Sequence, residues 1–135
     1  MINETTKALG FYADEHSAAR LYAYLAGSEK SIELRERFAE LARVETAHAA
    51  FWKAFLLKRG VTPAEPSRLT FIWTRSLRHI LGTRRYLSFL EISEQSAVES
   101  YYAFLNSAVI GDVEKSSVAR LIEDELGHEE ELESQ

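Results

Sequence analysis

Residues 43–52 read RVETAHAAFW and place Glu45 three residues before His48, between apolar side chains. Residues three or four apart lie on one face of an α-helix, so these two side chains share a face. Residues 122–133 read IEDELGHEEELE and repeat the same Glu-x-x-His spacing. Two such pairs in one short chain predict two helices that each carry a carboxylate and an imidazole on one face.

Hydrophobic periodicity and its interruptions predict four helices, so the chain is expected to be all-α. Helix-ending glycines, a serine N-cap and the prolines of VTPAEP, residues 61–66, set the boundaries. The first predicted helix runs from about residue 4 to Ala26 and ends at Gly27, and the second runs from Ser31 to Arg59 with Gly60 after it. The stretch 67–111 could form one very long helix or two helices divided near Gly82 and Thr83, and we favour a connecting helix followed by the third core helix. The fourth covers roughly 113 to 133, with a start between Asp112 and Ser117.

Each predicted helix has an apolar face that is interrupted at one level by a glutamate, or by a glutamate and a histidine. A carboxylate that faces a core is costly unless it is paired, protonated or bound to a cation. Such residues at one level therefore predict a metal site. The four faces carry Ala8, Phe11, Glu15, Ala18, Tyr22 and Leu25; Leu34, Phe38, Leu41, Glu45, His48, Trp52 and Phe55; Leu87, Leu90, Glu94, Ala97, Tyr101, Phe104 and Ala108; and Val118, Leu121, Glu125, His128 and Leu132.

The chain also contains an internal repeat. Two helix hairpins related by a pseudo-twofold would form a symmetric cage for two ions, because each half supplies two glutamates and one histidine. Carboxylate oxygens combined with imidazole nitrogens favour first-row transition metals over magnesium and calcium. An offset of 79 or 80 residues places Glu15 on Glu94, Glu45 on Glu125 and His48 on His128.

Simpler interpretations exist for single members of this set. Glutamate is abundant, so one Glu-x-x-His spacing can arise by accident. His48 alone could be a hydrogen-bonded core histidine, and Glu125 alone could belong to a solvated face. The joint pattern favours the metal interpretation. His16 and His79 have no glutamate three residues before them and are expected at the surface or in the connector.

Composition limits the functional classes. A chain of 135 residues, 46% of them hydrophobic, is expected to form one domain over residues 1–135. The absence of cysteine excludes disulfides, thiolate zinc sites and iron–sulfur ligation by this chain. A net charge of −5 argues against a nucleic-acid partner. No apolar stretch approaches the ~20 residues that span a bilayer, and a cytoplasmic protein is expected.

The segment 67–90 is basic and aromatic and contains no acidic residue. We expect it to begin as a connecting helix that packs over the bundle. One alternative is that the segment forms a subunit interface, which would be compatible with a homodimer. The other is contact with a membrane surface, which we do not favour.

The six residues of this pattern lie in four stretches: DEHSAARLYAYLA (14–26), ARVETAHAAFW (42–52), SEQSAVESYYAFL (93–105) and IEDELGHEEEL (122–132). These stretches resemble the ferritin-like di-iron carboxylate proteins, specifically the erythrin domain of rubrerythrins and the similar soluble domain of some vacuolar-iron-transporter-type membrane proteins. The resemblance covers about residue 8 to 133. It implies an antiparallel four-helix bundle with a long crossover between helices 2 and 3, and a di-iron site.

The same resemblance assigns roles to six residues. Glu45 and Glu125 would bridge two irons, Glu15 and Glu94 would be terminal ligands, and His48 and His128 would each bind one ion. Rubrerythrins carry a further glutamate where this chain has Ala97, which puts rubrerythrin-type peroxide chemistry in question. With no cysteine-ligated rubredoxin domain in the chain, any electron donor would be external.

The function expected from these features is oxidation of Fe(II) by O₂ or peroxide at a two-iron centre, in iron handling or oxidative-stress defence. Manganese or zinc could replace iron, although zinc would be redox-silent. One alternative is an oxidase, oxygenase or peroxidase that uses an external reductant. The other is a non-enzymatic, metal-dependent helical module that partners an iron transporter.

Overall fold

The structure, a computed structural model, describes residues 3–66, 76, 79–107 and 110–133, of which 83, 84, 107 and 129–133 are described by their backbone alone. Within these ranges the chain is helical and contains no strand, which confirms the predicted all-α class. It divides into two compact units, Met1–Ser76 and Leu77–Gln135. The bounded helices are α1 (Glu4–Ser28), α2 (Ile32–Leu57), α3 (Thr83–Ser107) and α4 (Asp112–Glu133).

In the first unit, α1 begins at a side-chain cap and ends later than the sequence predicted. The Asn3 side chain accepts a hydrogen bond from the Thr6 amide at 2.8 Å, which satisfies one of the free amides of the first turn. The helix continues through Gly27 to Ser28, so the predicted end at Gly27 was wrong. Glycine ends a helix when it adopts a positive φ, and among the described glycines only Gly60 and Gly82 do so.

Helix α2 has the predicted N-cap, and glycine geometry determines its end. The Ser31 hydroxyl accepts from the Leu34 amide at 3.3 Å. After Leu57 the chain turns through Gly60, whose φ is 76°. The Gly60 amide donates to the Leu57 carbonyl and the Val61 amide to the Leu56 carbonyl, both at 3.0 Å. This paired pattern is a Schellman motif, so the regular helix stops two residues before the predicted Arg59.

Helices α1 and α2 pack against each other as an antiparallel hairpin, since only residues 29–31 connect them. At the open end of the hairpin, Arg59 joins the two helices. Its Nε lies 3.7 Å from Glu4 Oε1, and its guanidinium carbon lies 3.6 Å from the centre of the Phe55 ring. The buried apolar residues of the hairpin are Ala8, Tyr12, Leu21, Tyr22, Leu25, Phe38, Leu41, Ala49, Trp52, Phe55 and Leu56.

The second unit contains α3 packed against α4. Gly82, with a φ of 79°, precedes α3 and accepts from the Tyr86 amide at 3.0 Å. The predicted division near Gly82 and Thr83 is therefore confirmed, as is the start of α4 within the predicted interval. The buried apolar residues of this unit are Tyr86, Leu90, Val98, Tyr101, Phe104, Val118, Leu121 and Ile122.

The predicted connecting helix falls mostly on residues 67–75, 77 and 78, which lie outside the described residues. Residues 76 and 79–81 are helical. None of the helices in the described part of the chain is both long and apolar enough to cross a membrane.

Candidate metal centre

In the first unit, α1 and α2 bring one glutamate and one Glu-x-x-His pair together. His48 Nδ1 lies 3.5 Å from Glu15 Oε2 and 3.4 Å from Glu45 Oε2. Their relative exposures of 2%, 4% and 1% are low for groups of this polarity. We call these three residues the first cluster. The antiparallel hairpin explains it, because Glu15 on α1 and Glu45 on α2 are at similar distances from the connecting residues 29–31.

In the second unit, α3 and α4 form a matching arrangement. His128 Nδ1 lies 3.6 Å from Glu94 Oε2 and 3.7 Å from Glu125 Oε2. All three side chains are buried. We call them the second cluster. In both clusters the Nδ1 atom of the histidine faces one oxygen of each glutamate, so the repeat seen in the sequence extends to the atoms that meet.

The donor atoms of both clusters fit a transition-metal ion. Within each cluster the three ligand atoms lie within 4.8 Å of one another. Two bonds of ~2.1 Å at a tetrahedral angle would place their ligand atoms ~3.4 Å apart. The imidazole–carboxylate distances, 3.4 to 3.7 Å, are close to this value. A divalent cation would also balance carboxylate charge that burial otherwise disfavours.

Of the two histidines expected at the surface or in the connector, His79 is exposed but His16 is not, since it lies half-buried within α1. The His16 ring lies 5.7 Å from that of Tyr12. Neither histidine belongs to a cluster. Tyr22 and Tyr101, which the sequence analysis placed on the apolar faces, are buried. Ala97, one turn after Glu94, is half-buried and offers no carboxylate.

One ionisable group beside the first cluster has a perturbed pKa. Desolvation, and secondarily the negative charge of Glu15, raise the pKa of Asp14 above the ordinary value for an aspartate. Because the Asp14 side chain keeps exposed surface, water limits the size of this shift. Asp14 therefore remains a surface carboxylate beside the buried Glu15.

An aromatic pair next to the first cluster was not singled out by the sequence analysis as functional. Phe11 lies four residues before Glu15, and Trp52 lies four residues after His48. Their ring centres are 4.8 Å apart. Both had been assigned to the apolar faces, and the spacing of one helical turn from a ligand position is the signal that could have identified them.

Comparison with known proteins agrees with this geometry. A family model described as Rubrerythrin matches residues 11–135, a range that includes all six cluster residues. No curated protein and no solved structure matches the chain. The family model describes a ferritin-like di-iron carboxylate domain, so the match confirms the ferritin-like fold class.

Proposed function

Since the chain belongs to the rubrerythrin family of ferritin-like di-iron carboxylate domains, we propose that its two clusters supply the ligands for two iron ions. Each cluster supplies two carboxylates and one imidazole. Together they offer four negative charges, which balance two divalent ions. Imidazole nitrogen in the donor set favours iron, manganese or zinc over magnesium and calcium.

The proposed roles are those that the resemblance to rubrerythrins implies. Glu45 and Glu125 stand in the Glu-x-x-His pairs and would bridge the two ions. The single glutamates of α1 and α3, Glu15 and Glu94, would be terminal ligands. Each histidine would bind one ion through Nδ1, the atom that faces the carboxylates in both units.

The activity that we propose is oxidation of Fe(II) by O₂ or peroxide. Two irons held by carboxylates supply, when bound, one-electron changes between the ferrous and ferric states. The chain contributes fixed negative charge that favours the ferric product, imidazole nitrogens that can donate to metal, and burial that limits access of water. The chain contains no cysteine, so reduction for a further cycle would come from an external donor.

The proposal rests on one observation. Each unit has a buried set of two glutamates and one histidine, in which the histidine Nδ1 atom lies 3.4 to 3.7 Å from one oxygen of each glutamate. A single buried ion pair can be structural. The repetition of an uncommon arrangement in both units is harder to explain by packing, because apolar residues would fill the same space at lower cost.

Aerobic addition of Fe(II) to metal-free protein tests the activity. We expect ferric iron to form, with O₂ uptake, faster than in buffer alone, and faster than with a Glu45→Ala, Glu125→Ala double variant. Glu40 and Glu99 are exposed acids outside the clusters, so a Glu40→Ala, Glu99→Ala variant is the matched control and should keep the wild-type rate. Equal rates in wild type and buffer would refute the ferroxidase proposal, and a parallel run with peroxide would identify the preferred oxidant.

A further inference from the structure

The first cluster has an oxidisable aromatic residue one helical turn away. Trp52 follows His48 by four residues on α2, and side chains at this spacing are neighbours, with Cβ atoms about 5–6 Å apart. Phe11 has the same relation to Glu15 on α1. The Phe11–Trp52 contact, 4.8 Å between ring centres, joins the two helices at this level. An aromatic layer therefore lies directly beside the first cluster.

Trp52 is enclosed by other rings. Its relative exposure is 0%. Phe51 and Phe55 lie with ring centres 4.9 and 5.5 Å from it, both in edge-to-face arrangements. Among these four aromatic residues, only the indole gives up an electron readily, because a phenyl ring is far harder to oxidise. The enclosure also keeps a transient radical away from solvent.

The chain has few sulfur-containing side chains that could take up oxidising equivalents in place of Trp52. Cysteine and methionine are the side chains that usually take up oxidising equivalents. This chain has no cysteine, and its one methionine is Met1. Oxidising equivalents that are not consumed by iron therefore have few thiol or thioether targets, and aromatic side chains close to the centre become the available electron donors.

At the sequence positions that match Phe11 and Trp52, the second cluster has no aromatic residue. Four residues before Glu94 the chain has Leu90, which is buried. Four residues after His128 it has Leu132. The two repeats thus match at the ligand positions and differ at the neighbouring positions, where an aromatic pair in one unit corresponds to two leucines in the other.

We infer that Trp52 is a one-electron donor to the oxidation chemistry of the first cluster, an inference that rests on the proposed ferroxidase function. Two ferrous ions reduce O₂ to hydrogen peroxide with two protons from solvent. Peroxide then needs two electrons and two protons to become two waters. A further ferrous ion gives one electron, and Trp52 gives the other. The Trp52 indole N–H supplies one of the two protons, and solvent supplies the second.

The donor must then be restored. An external one-electron reductant of the enediol class, such as ascorbate, returns an electron and a proton to the indole. Without such a reductant the Trp52 radical adds O₂ to form a peroxyl radical. This takes one electron from a ferrous ion and one proton from solvent and becomes a hydroperoxide, which leaves two added oxygen atoms on the indole. Trp52 thus prevents release of peroxide when ferrous iron is scarce, and the reductant determines whether this protection is reversible.

A binding measurement first tests the location of Trp52. The chain has two tryptophans, so in a Trp73→Phe variant all tryptophan emission comes from Trp52. Anaerobic titration with Fe(II) should quench most of this emission as the ions bind. Unchanged emission at full iron loading would place Trp52 out of reach of the ions and overturn the inference. This readout needs no turnover.

A second measurement tests the chemistry. After aerobic addition of limiting Fe(II), rapid freezing and electron paramagnetic resonance should show a tryptophan radical in wild type and in Trp73→Phe. Mass spectrometry should find one or two added oxygen atoms on the Trp52 peptide, and ascorbate should suppress them. In Trp52→Phe both signals should be lost and more peroxide released, at unchanged iron content, while Trp52→Tyr should restore a radical of tyrosyl type.

The outcomes separate the two proposals. Normal oxidation of iron without a radical or oxygen uptake at Trp52 overturns the inference and leaves the ferroxidase proposal standing. No oxidation of iron overturns both. If Trp52→Phe does not fold, the wild-type and Trp73→Phe measurements still decide, because they observe Trp52 itself.

Discussion

His48 faces Glu15 across the α1–α2 hairpin, with Nδ1 3.5 Å from Oε2. This contact depends on tertiary packing, since the two residues lie on different helices. His128 and Glu94 have the same relationship in the second unit, at 3.6 Å. Each unit therefore needs both of its helices to bring two glutamates and one histidine together.

Loss of one imidazole should remove part of the bound metal. We expect His48→Ala to lower metal content from about two ions per chain toward one, because the second cluster keeps all its donors. Elemental analysis of protein purified without added metal measures this. His16→Ala, a histidine outside both clusters, should retain two ions. Full metal content in His48→Ala would show that His48 is not a ligand.

Neutralising a buried carboxylate should raise the stability of the metal-free protein and lower the stability of the metal-loaded protein. Glu45→Gln keeps the side-chain shape and removes a charge from a site that holds another carboxylate. Thermal unfolding should show the metal-free variant more stable than metal-free wild type by about 1–3 kcal/mol, and the metal-loaded variant less stable than loaded wild type. A loss of stability in both forms would indicate that Glu45 has a structural role only.

The Schellman motif at the end of α2 requires glycine. Gly60 has a φ of 76°, a conformation that costs other residues about 1–2 kcal/mol, so Gly60→Ala should destabilise the protein by that amount in denaturant unfolding. Gly27 offers a matched control, since it lies within α1 and an added Cβ there meets no atom within 4 Å. Gly27→Ala should instead stabilise by about 0.5–1 kcal/mol. Similar losses at both positions would contradict this account.

Arg59 should stabilise the open end of the α1–α2 hairpin. Its guanidinium contacts the Phe55 ring and lies near Glu4, and the side chain is partly exposed. We expect Arg59→Ala to cost about 1 kcal/mol, mostly from the cation–π contact. Arg120 is exposed on α4, and Arg120→Ala should have an effect near zero. Urea unfolding of both variants makes the comparison, and equal midpoints would exclude a role for Arg59.

The positions of the buried polar residues could be predicted from the sequence because they follow from local rules. Helical spacing placed Glu45 and His48 on one face, and a serine before an apolar run identified the N-cap at Ser31. Such features depend on residues only a few positions apart. All six predicted cluster residues are buried in the structure, although their role as ligands stays a prediction.

The helix ends and the full width of the buried faces could not be predicted from the sequence, because they depend on backbone conformation and on contacts between helices. Gly27 and Gly60 are both glycines near a predicted helix end, yet only Gly60 adopts a positive φ, and nothing in the residue type distinguishes them. The apolar faces were drawn one residue per turn, whereas Tyr12, Leu56 and Tyr86 are also buried, because a packed helix buries a wider stripe. The Phe11–Trp52 contact likewise could not be predicted, because it forms only when α1 packs against α2.

The matching of the two units bears on how such a protein could arise. One helix hairpin supplies a glutamate from its first helix and a Glu-x-x-His pair from its second, so two copies of a single hairpin contain every donor of a two-ion centre. A single self-associating hairpin would therefore suffice as an ancestor. Duplication would then release the copies from identity, and Trp52 in one half against Leu132 in the other is a difference that identical copies cannot have.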